Sequence, residues 1–147
     1  MALRQSTSVR TALCGTSGLK DIFNGGYIDI YTGGQPASAD YAETGSKLVR
    51  ITIASGDVAT AGLLWGTAAA GLLPKSGTAF SGVISLAGVA GWFRLYGTGG
   101  TSGSSASENR MDGNVGVSGS DLVLANTSLV LGATLTIDTF TLGVPAS

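Results

Sequence analysis

Residues able to carry out acid–base or metal chemistry are scarce in this chain. It contains no histidine, and Cys14 is its only cysteine. A Ser-His-Asp triad would therefore lack its base, and a Cys-His couple would lack its histidine. A zinc site needs Cys, His or carboxylate ligands that converge, and only carboxylates are available in number. These residue types argue against nucleophilic catalysis and against a transition-metal site.

The carboxylates are better explained as turn residues than as catalysts. The chain has nine acidic residues: Asp21, Asp29, Asp40, Glu43, Asp57, Glu108, Asp112, Asp121 and Asp138. Most stand beside Gly, Ser or Thr, where an aspartate commonly hydrogen-bonds the backbone of a turn. A carboxylate pair for glycoside hydrolysis would have to be assembled from distant residues, and this is the one catalytic alternative that the composition leaves.

Two glycine-rich segments match nucleotide or cation loops only in part. "GTGGTSG", residues 97–103, has no lysine for a phosphate loop, and Ser102 stands where the dinucleotide fingerprint needs glycine. "MDGNVG", residues 111–116, lacks the other ligands of a Ca²⁺ loop and its distal glutamate. We therefore predict that the protein is not an enzyme and uses no cofactor or metal.

Two segments repeat one pattern with opposite charges. "GYIDIYTGG", residues 26–34, and "GWFRLYGTGG", residues 91–100, both run Gly, aromatic, apolar, charged, apolar, Tyr. The first carries Asp29 and the second Arg94 at the equivalent position. If the two strands are adjacent, Asp29 and Arg94 are predicted to form a cross-strand pair. Alternatively, the segments occupy equivalent places in two halves of a sandwich, or their likeness is a coincidence.

Composition limits the class of protein. A chain of 147 residues with 24 glycines and 12% charged residues fits one domain with an uncharged surface, which is suited to packing against copies of itself or a partner. The net charge is −1 and the basic residues are scattered, so direct nucleic-acid binding is not expected. The charge-free stretches 58–74 and 76–93 are broken by Gly, Ser and Thr, which favours strands over a membrane segment. The N-terminus has no signal-peptide pattern, so we expect a cytoplasmic origin.

Hydrophobic periodicity predicts an all-β fold. After one helix or two short ones within residues 6–24, apolar residues recur with period two in segments 27–31, 47–54, 63–65, 82–86, 92–96, 121–125 and 133–143. Short strands separated by Gly-rich turns favour a jelly-roll-like β-sandwich with a short N-terminal helical segment. The last segment changes phase, which predicts a bulge or bend near Asp138–Thr139. We assign residues 1–8 to an N-terminal arm and 9–147 to the domain.

The strand patterns also predict which residues fill the core. The predicted core is Ile28, Ile30, Val49, Ile51, Ile53, Phe93, Leu95, Leu122, Leu124, Leu135, Ile137 and Phe140. Cys14 is expected to be a packed apolar residue with a structural role.

The assembled motifs resemble a known group of proteins. The helix, then "GGYIDIYTGGQPASADYAETGSKLVRITI", "WFRLYGTGG" and "MDGNVGVSGSDLVLANTSLVLGATLTIDTFTL" are similar to the small virion-associated structural proteins of tailed bacteriophages. The likeness covers most of residues 19–142 and is weaker over 55–88; the loop 97–110 is longer here than in that group. It implies a structural role in the phage particle, such as a capsid decoration or cement protein on the outer surface of the head, with the major capsid protein as partner.

Three functions follow as hypotheses. Capsid cement is the first, with Leu3 and Arg4 of the arm and Trp65 as predicted interface residues and with a homo-oligomer, dimer or trimer, as the expected form. A tail, tail-tip or head–tail joining component with an adhesin-like surface is the second. A soluble enzyme or small-ligand module is the third and the least supported.

Overall fold

The strands and helices were located in a computed structural model that describes residues 3–15 and 17–143. The strands are β1 (Arg4–Gln5), β2 (Tyr27–Thr32), β3 (Lys47–Ile53), β4 (Leu72–Pro74), β5 (Phe80–Val83), β6 (Gly88–Tyr96), β7 (Arg110–Gly116), β8 (Leu122–Val123), β9 (Ser128–Leu129), β10 (Thr134–Ile137) and β11 (Thr141–Gly143). The helices are α1 (Thr7–Cys14), α2 (Leu19–Phe23) and α3 (Val58–Ala61). The predicted all-β class with a short N-terminal helical segment is confirmed.

One large sheet organises the molecule. Its main path runs β1-β7-β6-β2-β3-β5-β10, with β8 paired to β7 and β9 to β6, and a separate sheet joins β11 to β4. The two repeated segments are β2 and β6, and they are antiparallel neighbours at the centre. Asp29 stands directly opposite Arg94 in that ladder. Of the arrangements that the sequence left open, the structure has the one in which the two segments lie side by side.

The central strands separate two kinds of side chain because a strand sends alternate residues to opposite faces. Ile28 and Ile30 of β2 and Phe93 and Leu95 of β6 are fully buried in the hydrophobic core. Residues of α1 and α2, of the small sheet and of the segment around Leu63 belong to the same core. Every residue predicted for the core contributes to it, although Ile53 and Leu135 are only partly buried.

The N-terminal residues belong to the folded domain, which corrects the predicted arm. Arg4 and Gln5 pair with Asp112 and Met111 of β7. Ser6 is fully buried, and its side chain caps α1 by accepting a hydrogen bond from the backbone N–H of Val9. Residues 3–8 are therefore held by strand pairing and a helix cap, because an unpaired backbone at a sheet edge gains hydrogen bonds by joining it. Residues 1 and 2 lie outside the described residues.

The predicted bulge or bend near Asp138–Thr139 is confirmed, because the last segment is interrupted there and forms two strands. β10 ends at Ile137 in the large sheet, and β11 begins at Thr141 in the small one. Ile137, Phe140 and Leu142 are all buried. The chain changes sheets at residues 138–140, so both halves of the segment can bury their apolar residues despite the shift in parity.

Two strand predictions need correction. Residues 63–65 form only an isolated bridge, between Trp65 and Lys75. The strand expected at 82–86 is β5 at Phe80–Val83, and the chain leaves it where the N–H groups of Ser85 and Leu86 turn to the carbonyl of Leu48. In these two segments Leu63, Trp65 and Ile84 are buried but Leu64, Val83 and Leu86 are exposed, so local apolar content predicted neither uniform burial nor strand pairing.

Candidate functional site

The face of the large sheet opposite the core carries a row of charged residues and the aromatic residues Tyr27, Tyr31, Trp92 and Tyr96. One row crosses five strands, and the ladders align its members in the order Arg4, Asp112, Arg94, Asp29 and Arg50. Charges alternate in sign along this row. We refer to these five residues as the charge row. Each strand therefore places opposite charges beside the charges of its neighbour, which is the favourable arrangement for cross-strand pairs.

Within the row, ion pairs form on the outer sides of β2 and β6 rather than between them. Arg50 donates from Nε and Nη2 to the Asp29 carboxylate at 2.7 and 2.8 Å. Arg94 donates in the same bidentate way to Asp112 at 2.7 and 2.8 Å. The predicted Asp29–Arg94 ion pair is thus replaced by two pairs with flanking strands. A guanidinium and a carboxylate are matched by two parallel hydrogen bonds, so each of these aspartates is held by a single arginine.

The Arg94–Asp112 pair is the more deeply buried of the two. Both of its side chains have no exposed surface, whereas Arg50 is 40% exposed. A buried ion pair is stable only when its remaining donors and acceptors are satisfied. Arg94 meets this condition, because its Nη1 also donates to the Tyr41 carbonyl at 2.9 Å and to Glu43 at 3.0 Å.

Two loops close over this face and complete its hydrogen bonding. Glu43, on the loop between β2 and β3, accepts hydrogen bonds from the Tyr96 hydroxyl at 2.6 Å and from the N–H of Gly103 at 2.9 Å. The Ser105 N–H donates to the carbonyl of Asp40 at 2.8 Å. The Gly/Ser-rich loop 97–109, between β6 and β7, is fixed to the other loop by these hydrogen bonds. A Cβ at its Gly100 would lie 3.0 Å from the Tyr96 side chain, a tight contact that would require the tyrosine to shift slightly.

Stacked aromatic rings flank the charge row on both sides. Tyr27 stacks on Tyr96 and Tyr31 stacks on Trp92, each with ring centroids 4.6 Å apart. The Arg50 guanidinium lies 4.0 Å from the centroid of the Tyr27 ring. These contacts place ring surface beside each ion pair, while Arg50 stays partly open to solvent. The faces of the rings are therefore occupied by neighbours within the protein.

An open cleft remains between the two loops and the sheet. Its volume is about 440 Å³, and it is lined by Tyr27, Asp29, Tyr31, Glu43, Lys47, Arg50 and residues 100–102. Burial raises the pKa of the Tyr27 hydroxyl to about 12 and also raises the pKa of Tyr31. Burial acts the same way on Glu43, but hydrogen bonds from Tyr96 and Gly103 outweigh it and lower the pKa of that carboxyl. At neutral pH these tyrosines stay protonated and Glu43 stays ionised, so none of the three is poised to exchange a proton.

The strand that completes the charge row was missed by sequence reasoning. No strand was predicted at β7, whose segment "MDGNVG" was compared only with a Ca²⁺ loop. The signal was present in its period of two, since Met111 and Val115 are buried in the core while Asp112 faces the charge row. Gly113 is required there because a Cβ would lie 2.6 Å from the ring of Phe93. The glycine therefore marks close strand packing, not a turn.

The predicted interface residues do not form one surface. Trp65 is buried, its indole N–H donates to the Phe23 carbonyl, and its ring contacts Phe80 and Phe140, so it belongs to the core. Leu3 is partly buried against the core, and Arg4 is exposed with its guanidinium bound to the Pro36 carbonyl. The free thiol of Cys14 is exposed, which corrects its expected packing.

Exposed apolar side chains concentrate elsewhere. Among the described residues, Val83, Leu86, Val89, Val130 and Leu131 are 46–66% exposed. Their two segments are hydrogen-bonded to each other, because Ile84 N–H donates to Ala133 and Ala90 N–H to Thr127. We call these five residues the apolar rim. Neither segment contains a charged residue. The sequence does not distinguish the apolar rim from a buried strand, because both show alternating apolar residues.

Comparisons with known proteins add no identity to this geometry. No family model, no curated protein and no solved structure matches the chain. Within residues 3–15 and 17–143, no group of three or more Cys, Asp or Glu side chains is arranged to hold a metal ion. No helix in the same ranges is long and apolar enough to cross a membrane.

Proposed function

We propose that the protein is a structural component of a bacteriophage particle that attaches to the assembled capsid and stabilises the head. The apolar rim is the observation that carries this proposal. Five large apolar side chains held about half exposed at one end of a sheet are costly in water, and a cluster of this kind usually marks a protein–protein contact. The major capsid protein is the partner that the sequence resemblance implies.

The charge pattern supports a contact made by shape and apolar area. The rim segments, residues 83–89 and 128–134, carry no charge, so docking them desolvates no ionised group. Four of the five charge-row residues are paired within the protein, Arg50 with Asp29 and Arg94 with Asp112. A surface of this kind also allows copies to crowd on a lattice without mutual repulsion.

Stabilisation of a head does not need tight binding by each copy. A subunit that touches two capsid neighbours makes its second contact at a high effective concentration, so weak contacts add up across the lattice. This mechanism requires a rigid domain rather than an enzyme site. The saturated hydrogen bonds of the charge row supply rigidity, because the loops over it are fixed to the sheet.

The proposal is tested by adding the purified protein to heads that lack it. Binding is measured by co-sedimentation, and stabilisation by the survival of heads after heating or osmotic shock. The wild-type chain is expected to bind and protect. The double variant Val130→Ser/Leu131→Ser is expected to bind at least about tenfold more weakly, since each residue would lose a buried apolar contact.

A matched control distinguishes the rim from general loss of apolar surface. Leu64 and Val117 are exposed to a similar degree outside the rim. Leu64→Ser/Val117→Ser is expected to bind heads like wild type. Binding to tails alone would favour a tail component instead, and equal binding by both double variants would reject the rim as the contact.

A further inference from the structure

β10 forms an open edge of the large sheet. It pairs with β5 on one side and ends the strand order on the other. The N–H of Ile84 donates to the carbonyl of Ala133 at 2.9 Å, which fixes the phase of the β5–β10 ladder. In an antiparallel ladder the bonding direction alternates, so Leu135 and Ile137 bond to β5 while the N–H and C=O of Thr134 and Thr136 point away from it.

Apart from its short length of four residues, this edge carries none of the sequence features that normally prevent strand pairing. Proteins protect open edges with lysine, proline, bulges or a covering segment. Residues 129–137 contain no charged residue and no proline, and Asp138 is the first charge after the strand. Thr134 and Thr136, whose backbone groups point outward, are both exposed, and threonine favours strand pairing.

We infer that the protein forms a two-fold dimer in which β10 of one copy pairs antiparallel with β10 of another. The occupant is a second copy because the edge is complementary to itself. In a two-fold pairing centred on Leu135 or Thr136, Asp138 lies opposite Gly132 or Thr134 and never opposite its own copy. Like charges therefore do not meet, and the outward N–H and C=O groups find each other.

The opposite edge of the sheet cannot pair with β10 of another copy as well as β10 itself can. Strand pairing between copies is therefore expected to stop at a dimer. That edge is β1, which has only two residues and carries the charged Arg4, while β8 pairs with the other end of β7. A strand of four residues added to β1 would find at most two partners. An isologous pair through β10 uses both open edges at once and leaves none for further growth.

The dimer would also place two apolar rims in one particle-binding unit, an inference that rests on the proposed function. The apolar rim lies toward the start of β10, where residues 130 and 131 precede the strand. Because paired β10 strands run in opposite directions, the two rims lie at opposite ends of the joined sheets. One dimer then presents two capsid contacts, which is the bridging arrangement that multivalent stabilisation requires.

The dimer is tested on the purified protein without any heads, so its failure and the failure of the proposed function are separate results. Sedimentation equilibrium of the wild-type chain from about 10 µM to 1 mM is expected to show the mass rising toward twice 14.6 kDa, because four-residue strand pairing is a small, weak contact. Amide hydrogen exchange at Thr134 and Thr136 is expected to slow over the same range.

Thr136→Lys provides the blocking variant, since a lysine on an edge strand opposes pairing. It is expected to weaken dimerisation at least about tenfold and to abolish the concentration dependence of exchange at Thr134. Thr11→Lys is the control, because α1 packs near β7 at the far edge of the sheet. A monomer mass at all concentrations, or a dimer unaffected by Thr136→Lys, would overturn the inference.

Discussion

A functional site is usually sought among residues that are both chemically reactive and exposed. In this protein the charge row has the polar chemistry and the apolar rim has the exposure. The row contains buried charges and is flanked by stacked rings and by tyrosines with raised pKa values, yet its charged groups have partners within the protein. The rim has no polar chemistry, and its side chains remain exposed. The difference shows that chemical richness and availability are separate properties. In this chain the first serves folding, and we assign binding to the second.

The largest expected effects compare neighbouring residues on the two faces of β6. Phe93 is buried in the core, and Arg94 is buried in the charge row. Phe93→Ala is expected to cost about 3–5 kcal/mol through the cavity it leaves. Arg94→Ala is expected to cost about 3–5 kcal/mol because Asp112 would be left as an unpaired buried charge. Urea unfolding measures both, and a loss below about 1 kcal/mol for Arg94→Ala would show that the row does not support the fold.

A double-mutant cycle separates pairing from proximity within the row. Arg94 and Asp112 share two hydrogen bonds, whereas Arg94 and Asp29 are only register partners. The coupling energy for Arg94 with Asp112 is expected to reach about 2–3 kcal/mol. For Arg94 with Asp29 it is expected to stay below about 1 kcal/mol. Comparable values for both cycles would mean that the row acts as one delocalised network.

The partly exposed end of the row is expected to contribute less. Arg50→Met keeps much of the side-chain volume over Tyr27 but removes the charge that pairs with Asp29. We expect a loss of about 1–2 kcal/mol, because solvent can reach Arg50 and partly replaces it. Thermal unfolding measures this loss, and a cost equal to that of Arg94→Ala would contradict the ranking by burial.

Acid is expected to act mainly through the loops over the charge row. Hydrogen bonds lower the pKa of Asp40, Glu43 and Glu108 despite an opposing effect of burial. A carboxyl with a lowered folded-state pKa stabilises the protein above its unfolded pKa and loses that contribution as the pH falls. Burial raises the pKa of Asp112. The contribution of this carboxyl to the free energy of unfolding therefore increases as the pH falls, opposite to that of the other three.

The unfolding free energy is therefore expected to fall as the pH drops below about 5, and to keep falling below the ordinary carboxyl pKa values of about 4. Glu43→Gln should flatten this dependence, while the exposed control Asp138→Asn should not. An unchanged pH profile for Glu43→Gln would show that the loop contacts are absent in solution.

The smallest expected effect concerns the stability of rim variants. Val130→Ser and Leu131→Ser change side chains that are 66% and 64% exposed. Each is expected to shift the free energy of unfolding by no more than about 0.5 kcal/mol, as for most surface substitutions. Calorimetry checks this, and a larger loss would assign the rim to the core.

Sequence reasoning predicted what depends on local pattern. Period two identified β2, β3 and β6 and their buried residues, and the phase change located the break after Ile137. It could not predict the partner of Asp29, because the guanidinium that binds it comes from β3, and strand order is a long-range property. It also assigned Trp65 to a surface, since a large aromatic residue favours both interfaces and cores.

Hydrogen–deuterium exchange of the wild-type protein, free and bound to heads, tests the central claim most directly. The account predicts new protection in segments 83–89 and 128–134, which carry the apolar rim. It predicts unchanged exchange in residues 100–102, which line the cleft beside the charge row. Protection confined to the cleft, with the rim exchanging as in the free protein, would contradict it.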